Sequence, residues 1–267
     1  MNSGTSGRRG ASEKTINVRR ARPSPIARRG RKVPTMTELT AYERTWLAVL
    51  EELRSCPEVQ RTRDHQGKLN SVIGDADKAF AELAEWDGIA LDPALKSSYL
   101  RFSSLAACWW IPDPEYPDES VIAGEFDLNH LYSVVQGEPL TQRLYAPSPE
   151  EFQLFTELRS FDGTGQSGVG HLSMLRFQPG VVNPEVWFDT TAQGHHRLDL
   201  DYPGYLEALR ITKGTFGWQF LFADVSLSDD EFEVTRQFME IMLDVFPRLF
   251  PEHDYEPLRA RLAERLG

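Results

Sequence analysis

The segment Glu185–Asp224 constrains the fold of this chain most, because its pattern changes from strand to turn to helix within a short distance. A short apolar strand is predicted at Val186–Phe188, and the polar residues 193–196 indicate a turn. After the turn, Tyr202–Leu209 is predicted to be a helix. The aromatic side chains beyond this helix are Trp218, Phe220 and Phe222. Aromatic anchors around turns, with no acid, base or nucleophile at a catalytic spacing, indicate a packed binding scaffold.

The first part of the globular region is predicted to be helical. Pro57 is expected to end the first helix, and the polar residues 58–74 to form a loop. A second helix is expected to be capped by Asp75 or Asp77, and a third to span Pro93–Phe102. The apolar side chains that recur at helical spacing in the first helix are Leu39, Tyr42, Trp46, Val49, Leu50 and Leu53.

A run of short strand candidates follows these helices. A helix at Glu150–Phe161 interrupts the run. Beyond Ser226 two further helices are predicted, one opened by a capping box of Ser228 and Glu231 and one at Tyr255–Leu266. Helices that flank short strands predict an α+β fold with a mostly antiparallel central sheet. The strand candidates are Phe126–Leu128, Tyr132–Val135, His171–Phe177, Val186–Phe188 and Trp218–Phe222.

Three motifs occur in order between residues 36 and 224. The first is Gly88–Leu95, with the pattern Gly-Ile-x-Leu-x-Pro-x-Leu, and the second is a tryptophan followed after a loop by Gly124–Leu128. The third is a strand that ends in Trp187–Asp189 and is followed by a tyrosine and by a Gly-Trp pair. Their marker residues are Gly88, Pro93, Trp110, Gly124, Trp187, Tyr205, Gly217 and Trp218. In these motifs the chain resembles the SMI1/KNR4 family, also called the SUKH superfamily.

The resemblance implies a non-catalytic protein-binding domain over residues 36–226, with 227–267 as a C-terminal helical extension packed on it. Proteins that resemble this family are commonly immunity proteins encoded beside polymorphic toxins, often nucleases, which they neutralise by occlusion. Eukaryotic members act instead as regulatory scaffolds in cell-wall and signalling control. The resemblance therefore implies an immunity protein first and a regulatory scaffold second, with an enzyme a distant third.

Charge is distributed unevenly along the chain. Residues 1–33 hold ten of the 29 Lys and Arg residues and one of the 40 Asp and Glu residues. Residues 34–267 therefore hold 19 basic and 39 acidic side chains, a net charge of −20, whereas the whole chain carries −11. An acidic body repels nucleic acid and anionic membranes and attracts basic protein partners, although acidity can also serve solubility alone. The residues predicted to contact a basic partner are Asp113, Glu115, Asp118, Glu119, Glu125, Asp127 and Asp189.

Residues 1–35 are predicted to form a disordered basic tail, because they contain almost no large apolar side chains. The tail is open to three interpretations: a functional arm, a bland tail or a mis-assigned start before Met36. The two cysteines, Cys56 and Cys108, form no CxxC motif, which favours a reducing cytoplasm. No apolar run approaches the roughly 20 residues that a bilayer crossing needs.

The motifs that suggest chemistry have stronger structural explanations. Residues 163–168 match GxGxxG, but the segment before them is predicted to be helical and the segment after them a strand, the reverse of a dinucleotide site. His195 and His196 could bind a metal with nearby aspartates, but adjacent residues of an extended chain point to opposite faces. Cys108 lies among apolar residues, where thiols are usually inert. The sequence therefore predicts no catalytic residue, metal or cofactor.

Overall fold

The structure, a computed structural model, describes residues 38–70, 74–116 and 119–267, and the predicted tail at 1–35 lies outside them. The first helix, α1 (Ala41–Ser55), begins with a capping box in which Thr40 Oγ1 accepts from Glu43 N at 3.0 Å and Glu43 Oε2 accepts from Thr40 N at 2.8 Å. The helix ends before Pro57, as predicted. Its buried apolar stripe contains Trp46, Val49, Leu50 and Leu53.

The first sheet begins in the segment predicted to be a loop. Strand β1 (Gln60–Gln66) pairs antiparallel with β2 (Ser104–Pro112), which pairs antiparallel with β3 (Ser120–Asn129). The loop prediction for residues 58–74 is therefore wrong in part. β1 is an edge strand whose polar side chains are largely exposed, so it lacks the apolar alternation that marks a half-buried strand. Pairing with β2, which is distant in sequence, makes it a strand.

Short helical segments lie between β1 and β2. Helix α2 (Ala76–Glu82) is capped by Asp75, whose Oδ1 accepts from Lys78 N at 3.0 Å, as one of the two alternatives predicted. A π-helical turn leads to Gly88, which has a φ of 69° and closes the helix. The predicted helix at Pro93–Phe102 is a shorter 3-10 helix, Pro93–Ser98, because the backbone becomes extended at Tyr99.

The second sheet consists of four antiparallel strands in chain order: β4 (Leu158–Gly163), β5 (Leu172–Arg176), β6 (Glu185–Thr190) and β7 (Gly194–Arg197). The helix before it, α4 (Pro149–Glu157), ends sooner than predicted, because Leu158 is extended and pairs with Arg176. Within the described residues, the α+β class is confirmed, and the strands form two antiparallel sheets rather than one central sheet.

Two predicted strands are helical. Tyr132–Val135 lies in α3 (Leu131–Val135), where His130 Nδ1 accepts from Tyr132 N at 3.2 Å. Trp218–Phe222 forms a 3-10 helix whose five side chains are all buried. Because Trp218–Phe222 is buried on every side, it has no periodicity to distinguish a helix from a strand.

The chain ends in helices that share the core of the sheets. These are α5 (Tyr202–Thr212), α6 (Glu233–Leu249) and α7 (Glu256–Leu266). The predicted capping box is wrong, because Ser228 Oγ donates to Leu266 O at 2.8 Å and no side chain accepts a backbone N–H at the start of α6. The ring of Phe246 on α6 lies 5.8 Å from that of Trp109 on β2. The described residues, from 38 onward, belong to one compact unit.

None of the helices in the described part of the chain combines the length and the apolar character that crossing a bilayer requires.

Candidate functional site

The carboxylate of Asp162 links the two sheets where β4 passes beside β3. Its Oδ1 accepts from Asp127 N at 2.7 Å and from Gly163 N at 2.8 Å, and its Oδ2 accepts from the Tyr205 hydroxyl at 2.7 Å. The β4–β5 register shifts at this point, which turns the side chain toward β3. Burial raises the pKa of Asp162 to about 7, while the hydrogen bond from Tyr205 acts in the opposite direction.

Tyr205 is the hub of this buried polar cluster. Its hydroxyl lies 2.6 Å from Ser173 Oγ and accepts from Gln219 Nε2 at 3.4 Å, and burial raises its pKa. The rings of Phe161 and Trp218 lie 4.7 and 4.8 Å from its ring. Tyr205, a marker residue of the resemblance, therefore combines core packing with hydrogen bonds that join α5 to the sheets, while Trp218, another marker, contributes packing.

The glycine-rich motif at 163–168 lies in the connection from β4 to β5, which extends to residue 171 and which we call the glycine loop, so it lacks the helix that a dinucleotide site requires. Its backbone amides already have an anionic partner. Glu125 Oε1 accepts from Gln166 N at 2.7 Å, and Glu125 Oε2 accepts from Ser167 N at 2.9 Å. Glu125 is only 3% exposed, so its carboxylate lies inside the domain and not at the surface where the sequence placed a partner contact.

Two other predicted contact residues are held by arginines. Asp127 Oδ2 pairs with Arg63 at 2.7 Å, and Asp189 Oδ2 pairs with Arg143 at 2.6 Å. Asp189 is 8% exposed, so most of its surface is also covered. These carboxylates have internal partners, and their negative charge is offset locally.

The remaining predicted contacts lie on the β2–β3 loop. Asp113 Oδ1 accepts from Glu115 N at 2.7 Å and from Tyr116 N at 3.1 Å, which fixes the turn. Glu115 and Glu119 are exposed, and Asp118 lies outside the described residues. The structure thus separates the predicted set into an exposed loop and three carboxylates held between or beside the sheets.

The adjacent histidines take separate roles on opposite faces of β7, as predicted. The ring of His195 lies 5.3 Å from that of Phe155, while His196 Nε2 lies 2.9 Å from Gln193 O. In residues 38–70, 74–116 and 119–267 no three His, Cys, Asp or Glu side chains converge as metal ligands. Both cysteines are buried, and burial raises the pKa of each thiol.

Gly124 permits a close crossing between β3 and the chain after α5. A Cβ atom there would lie 2.6 Å from the Trp109 ring and 2.7 Å from Gly214 O. Glu125 N donates to Gly214 O at 2.9 Å across this crossing. The other marker residues are structural too: Trp110 pairs with Ala123 in the first sheet, Gly217 has a φ of 81°, and Trp187 Nε1 donates to Glu185 Oε2.

A surface that the sequence did not single out lies where α6 begins. Asp229, Asp230, Glu231 and Glu233 are exposed there, and Phe232 between them is buried. Among the described residues none of these four carboxylates forms an ion pair, and none caps the 3-10 turn or α6. The letters Asp-Asp-Glu-Phe-Glu were a visible signal, but the sequence gives Glu231 a capping role that the structure does not contain.

An apolar cavity of about 450 Å³ lies beside these acids, and we call it the α6 groove. Its residues come from the glycine loop, from the turn between β6 and β7, from the segment after α5 and from α6 itself. The side chains of the α6 groove that matter below are Val169, His171, Phe216, Glu231, Val234 and Phe238. An apolar concavity with charge at its edge is a candidate binding surface.

The chain was compared with family models, curated proteins and solved structures. No family model, no curated protein and no solved structure matches the chain.

Proposed function

We propose that this protein is a non-catalytic protein-binding domain, an immunity protein that neutralises a cognate bacterial toxin, such as a nuclease, by occluding it. The observation that carries the proposal is the set of exposed, unpaired carboxylates at the start of α6, beside the apolar α6 groove. The carboxylates of Asp229, Asp230 and Glu231 form no hydrogen bond within the described residues, and Glu233 Oε1 accepts only from Gln237 Nε2 on the next turn of α6 at 3.3 Å. A partner of opposite charge would provide ion-pair partners for these carboxylates.

The charge of the body suits this role. A nuclease binds a polyanion, so its active site is basic, and a body of net charge −20 is attracted to such a surface. Charge complementarity speeds association and excludes wrong partners, while a buried apolar centre slows dissociation. The SUKH-like arrangement and a bacterial cytoplasmic location belong to the same proposal and rest on the resemblance and on the unpaired thiols.

The buried polar groups also support binding over catalysis. Asp162, Tyr205 and Ser173 bond to one another and to backbone amides, and Glu125 is bonded to the glycine loop. A catalytic acid or base needs a lone pair or proton that can reach a substrate. Here these groups join the sheets.

The test is co-expression of the full chain with the product of the neighbouring gene, scored by growth and by co-purification. An immunity protein is expected to restore growth and to co-purify with the toxin in a complex whose association slows as salt increases. A neighbour that is not toxic, or growth that is not restored, would contradict the proposal. A host signalling protein as the only partner would favour the regulatory scaffold.

A further inference from the structure

The α6 groove is open to solvent between two exposed apolar side chains. Val169, on the glycine loop, is 42% exposed, and Val234, on the first turn of α6, is 66% exposed. Exposed valines on both walls of one concavity leave apolar surface that a partner can cover. Its volume of about 450 Å³ falls within the range of roughly 300–1,000 Å³ typical of ligand pockets.

The groove carries no positive charge on its inner wall. His171 lies there, with its ring 5.2 Å from that of Phe188 and 6.0 Å from that of Phe216. Burial lowers the pKa of His171 to about 4, so the imidazole is neutral at physiological pH. An uncharged aromatic wall favours an apolar side chain of the partner.

The wall formed by the glycine loop is held in place from inside the domain. Glu125 accepts the amides of Gln166 and Ser167, two residues before Val169 at the nearest point. On the opposite side, Gln193 Nε2 donates to Glu231 O at 3.4 Å and ties the β6–β7 turn to the start of α6. The groove is therefore formed before any partner arrives, which reduces the ordering cost of binding.

The charge at the edge of the groove identifies the chemistry of the occupant. Asp229, Asp230, Glu231 and Glu233 lie in the segment that enters α6, and Glu231 and Val234 both line the groove. A segment that fills the groove places its flanking side chains near these carboxylates. Lysine or arginine would complement them, and acidic side chains would be repelled.

We propose that the α6 groove binds a basic amphipathic segment of the partner, with one apolar side chain between Val169 and Val234 and flanking Lys or Arg side chains on Asp229, Asp230 and Glu231. This inference rests on the proposed function and names the part of the partner that is recognised. The apolar side chain supplies the desolvated centre of the contact, and the ion pairs set its orientation and association rate.

The first experiment measures binding of a fluorescent lysine–leucine peptide of helical spacing to the full chain, with a glutamate–leucine peptide as the charge control. Val234→Asp places a charge on the groove wall at an exposed position, and Val181→Asp makes the same change at a valine that is 41% exposed elsewhere. We expect Val234→Asp to weaken binding by about tenfold or more and Val181→Asp by less than about twofold, as for a central and a peripheral contact.

A second pair of variants tests the charged edge. The triple change D229N, D230N and E231Q removes three charges beside the groove, and E85Q, E138Q and E252Q removes three exposed charges elsewhere. The first triple variant is expected to slow association and flatten its salt dependence, while the second retains most of both. Equal effects of the two triple variants would overturn the proposal, because the attraction would then come from net charge and not from the edge of the groove.

Three further outcomes would overturn it. These are equal binding of the glutamate peptide, unchanged binding by Val234→Asp, and self-association of the wild-type chain that Val234→Asp abolishes, which would assign the groove to a second copy.

Failure of the inference is distinguishable from failure of the proposed function. If Val234→Asp still restores growth beside the toxin, the function stands and the groove is not the contact. If the peptide binds but no neighbour is toxic, the groove stands alone.

Discussion

At Asp162 a side-chain carboxylate on β4, and not a backbone carbonyl, accepts the hydrogen bond from Asp127 N on β3. Its carboxylate satisfies the amides of Asp127 and Gly163 and the hydroxyl of Tyr205 in the interior. Because buried donors without acceptors are costly, this one residue supports β3, β4 and α5 together.

Removing the side chain in Asp162→Ala is expected to lower the free energy of unfolding by about 2–4 kcal/mol, because it leaves the amides of Asp127 and Gly163 without this acceptor and the Tyr205 hydroxyl with Ser173 Oγ alone. Asp162→Asn retains an oxygen for the two amides and should cost about 1 kcal/mol or less. Urea unfolding of both variants measures the difference. Equal stability of Asp162→Ala and the wild type would contradict this role.

The wild type and Asp162→Asn should also differ in how their stability depends on pH, because the pKa of Asp162 is raised in the folded state. The pKa of Asp162 is raised to about 7 in the folded state, from 3.8. The stability that its proton contributes is therefore complete below about pH 4 and is lost as the pH rises through about 7. Asp162→Asn does not titrate at this position, so between about pH 4 and pH 7 the free energy of unfolding of the wild type should fall relative to that of Asp162→Asn. Parallel pH profiles of the free energy of unfolding would contradict this prediction.

Lys213 is a fully buried cation with a mixed set of partners. Its Nζ pairs with Glu52, donates to Arg210 O at 2.7 Å and lies 3.0 Å from His253 Nε2. Burial lowers the pKa of Lys213 to about 8, although Glu52 acts against this. Burial alone would raise the pKa of Glu52, but the hydrogen bonds from His253 and Lys213 lower it to about 2. The pair links α1 to the segments after α5 and α6.

Glu52→Gln should leave Lys213 without its counter-charge and lower the free energy of unfolding at pH 7 by about 3 kcal/mol, the low end for a buried pair because Glu52 is partly exposed. Since the pKa of Glu52 is depressed, its contribution is present above about pH 4.5 and is lost as the pH falls toward 2. The two proteins should therefore converge in acid. A constant difference from pH 7 to pH 2.5 would rule out this explanation.

At the scale of elements, the crossing of β3 by the chain after α5 depends on two glycines. Gly124 has no room for a Cβ atom against Trp109 and Gly214 O, and Gly214 has a φ of 75°. The hydrogen bonds from Glu125 N to Gly214 O and from Phe216 N to Ala123 O cross at this point. The close approach brings the end of α5 onto the first sheet.

Gly124→Ala is expected to cost about 2–3 kcal/mol or more, because the added methyl group must displace backbone or an indole ring in a packed core. Gly165→Ala is the matched control, because a Cβ atom there meets nothing within 4 Å. Urea midpoints report both. A Gly124→Ala variant as stable as Gly165→Ala would show that the crossing can relax.

At the scale of the whole molecule, the C-terminal helices complete the core of the sheets. Phe246 of α6 is fully buried, contacts the ring of Trp109 and lies 5.1 Å from the ring of Phe250. Leu227 N donates to Arg265 O at 2.8 Å, which closes α7 back onto the segment before α6. We therefore expect the rest of the domain to need residues 227–267 in order to fold.

Phe246→Ala should lower the free energy of unfolding by about 3–5 kcal/mol, the usual cost of a large cavity in a core. Glu240→Ala, at an exposed position of the same helix, should change it by less than about 0.5 kcal/mol. Thermal and urea unfolding measure both, and a chain ending at Ser226 should show no cooperative transition. Cooperative unfolding of that shorter chain would contradict the shared core.

The sequence by itself determined the elements whose signals are local. The apolar stripe of α1, a cap of α2 at Asp75 or Asp77 and the helix beginning at Tyr202 were predictable, because their spacing and caps involve neighbours along the chain. The structure decided for Asp75. The strand at Val186–Phe188 and the α+β class were predictable for the same reason. The unequal distribution of charge is also a property of the sequence alone.

Only the tertiary structure decided what depends on distant partners. β1 is a strand because β2 pairs with it. The helical form of Trp218–Phe222 could not be predicted, because a run buried on every side has no periodicity that separates helix from strand. Glu125 looked like an exposed contact, yet it lies inside because the glycine loop needs an acceptor. Charge and apolarity can be read along a chain, but whether a side chain faces solvent is fixed by packing between segments far apart in sequence.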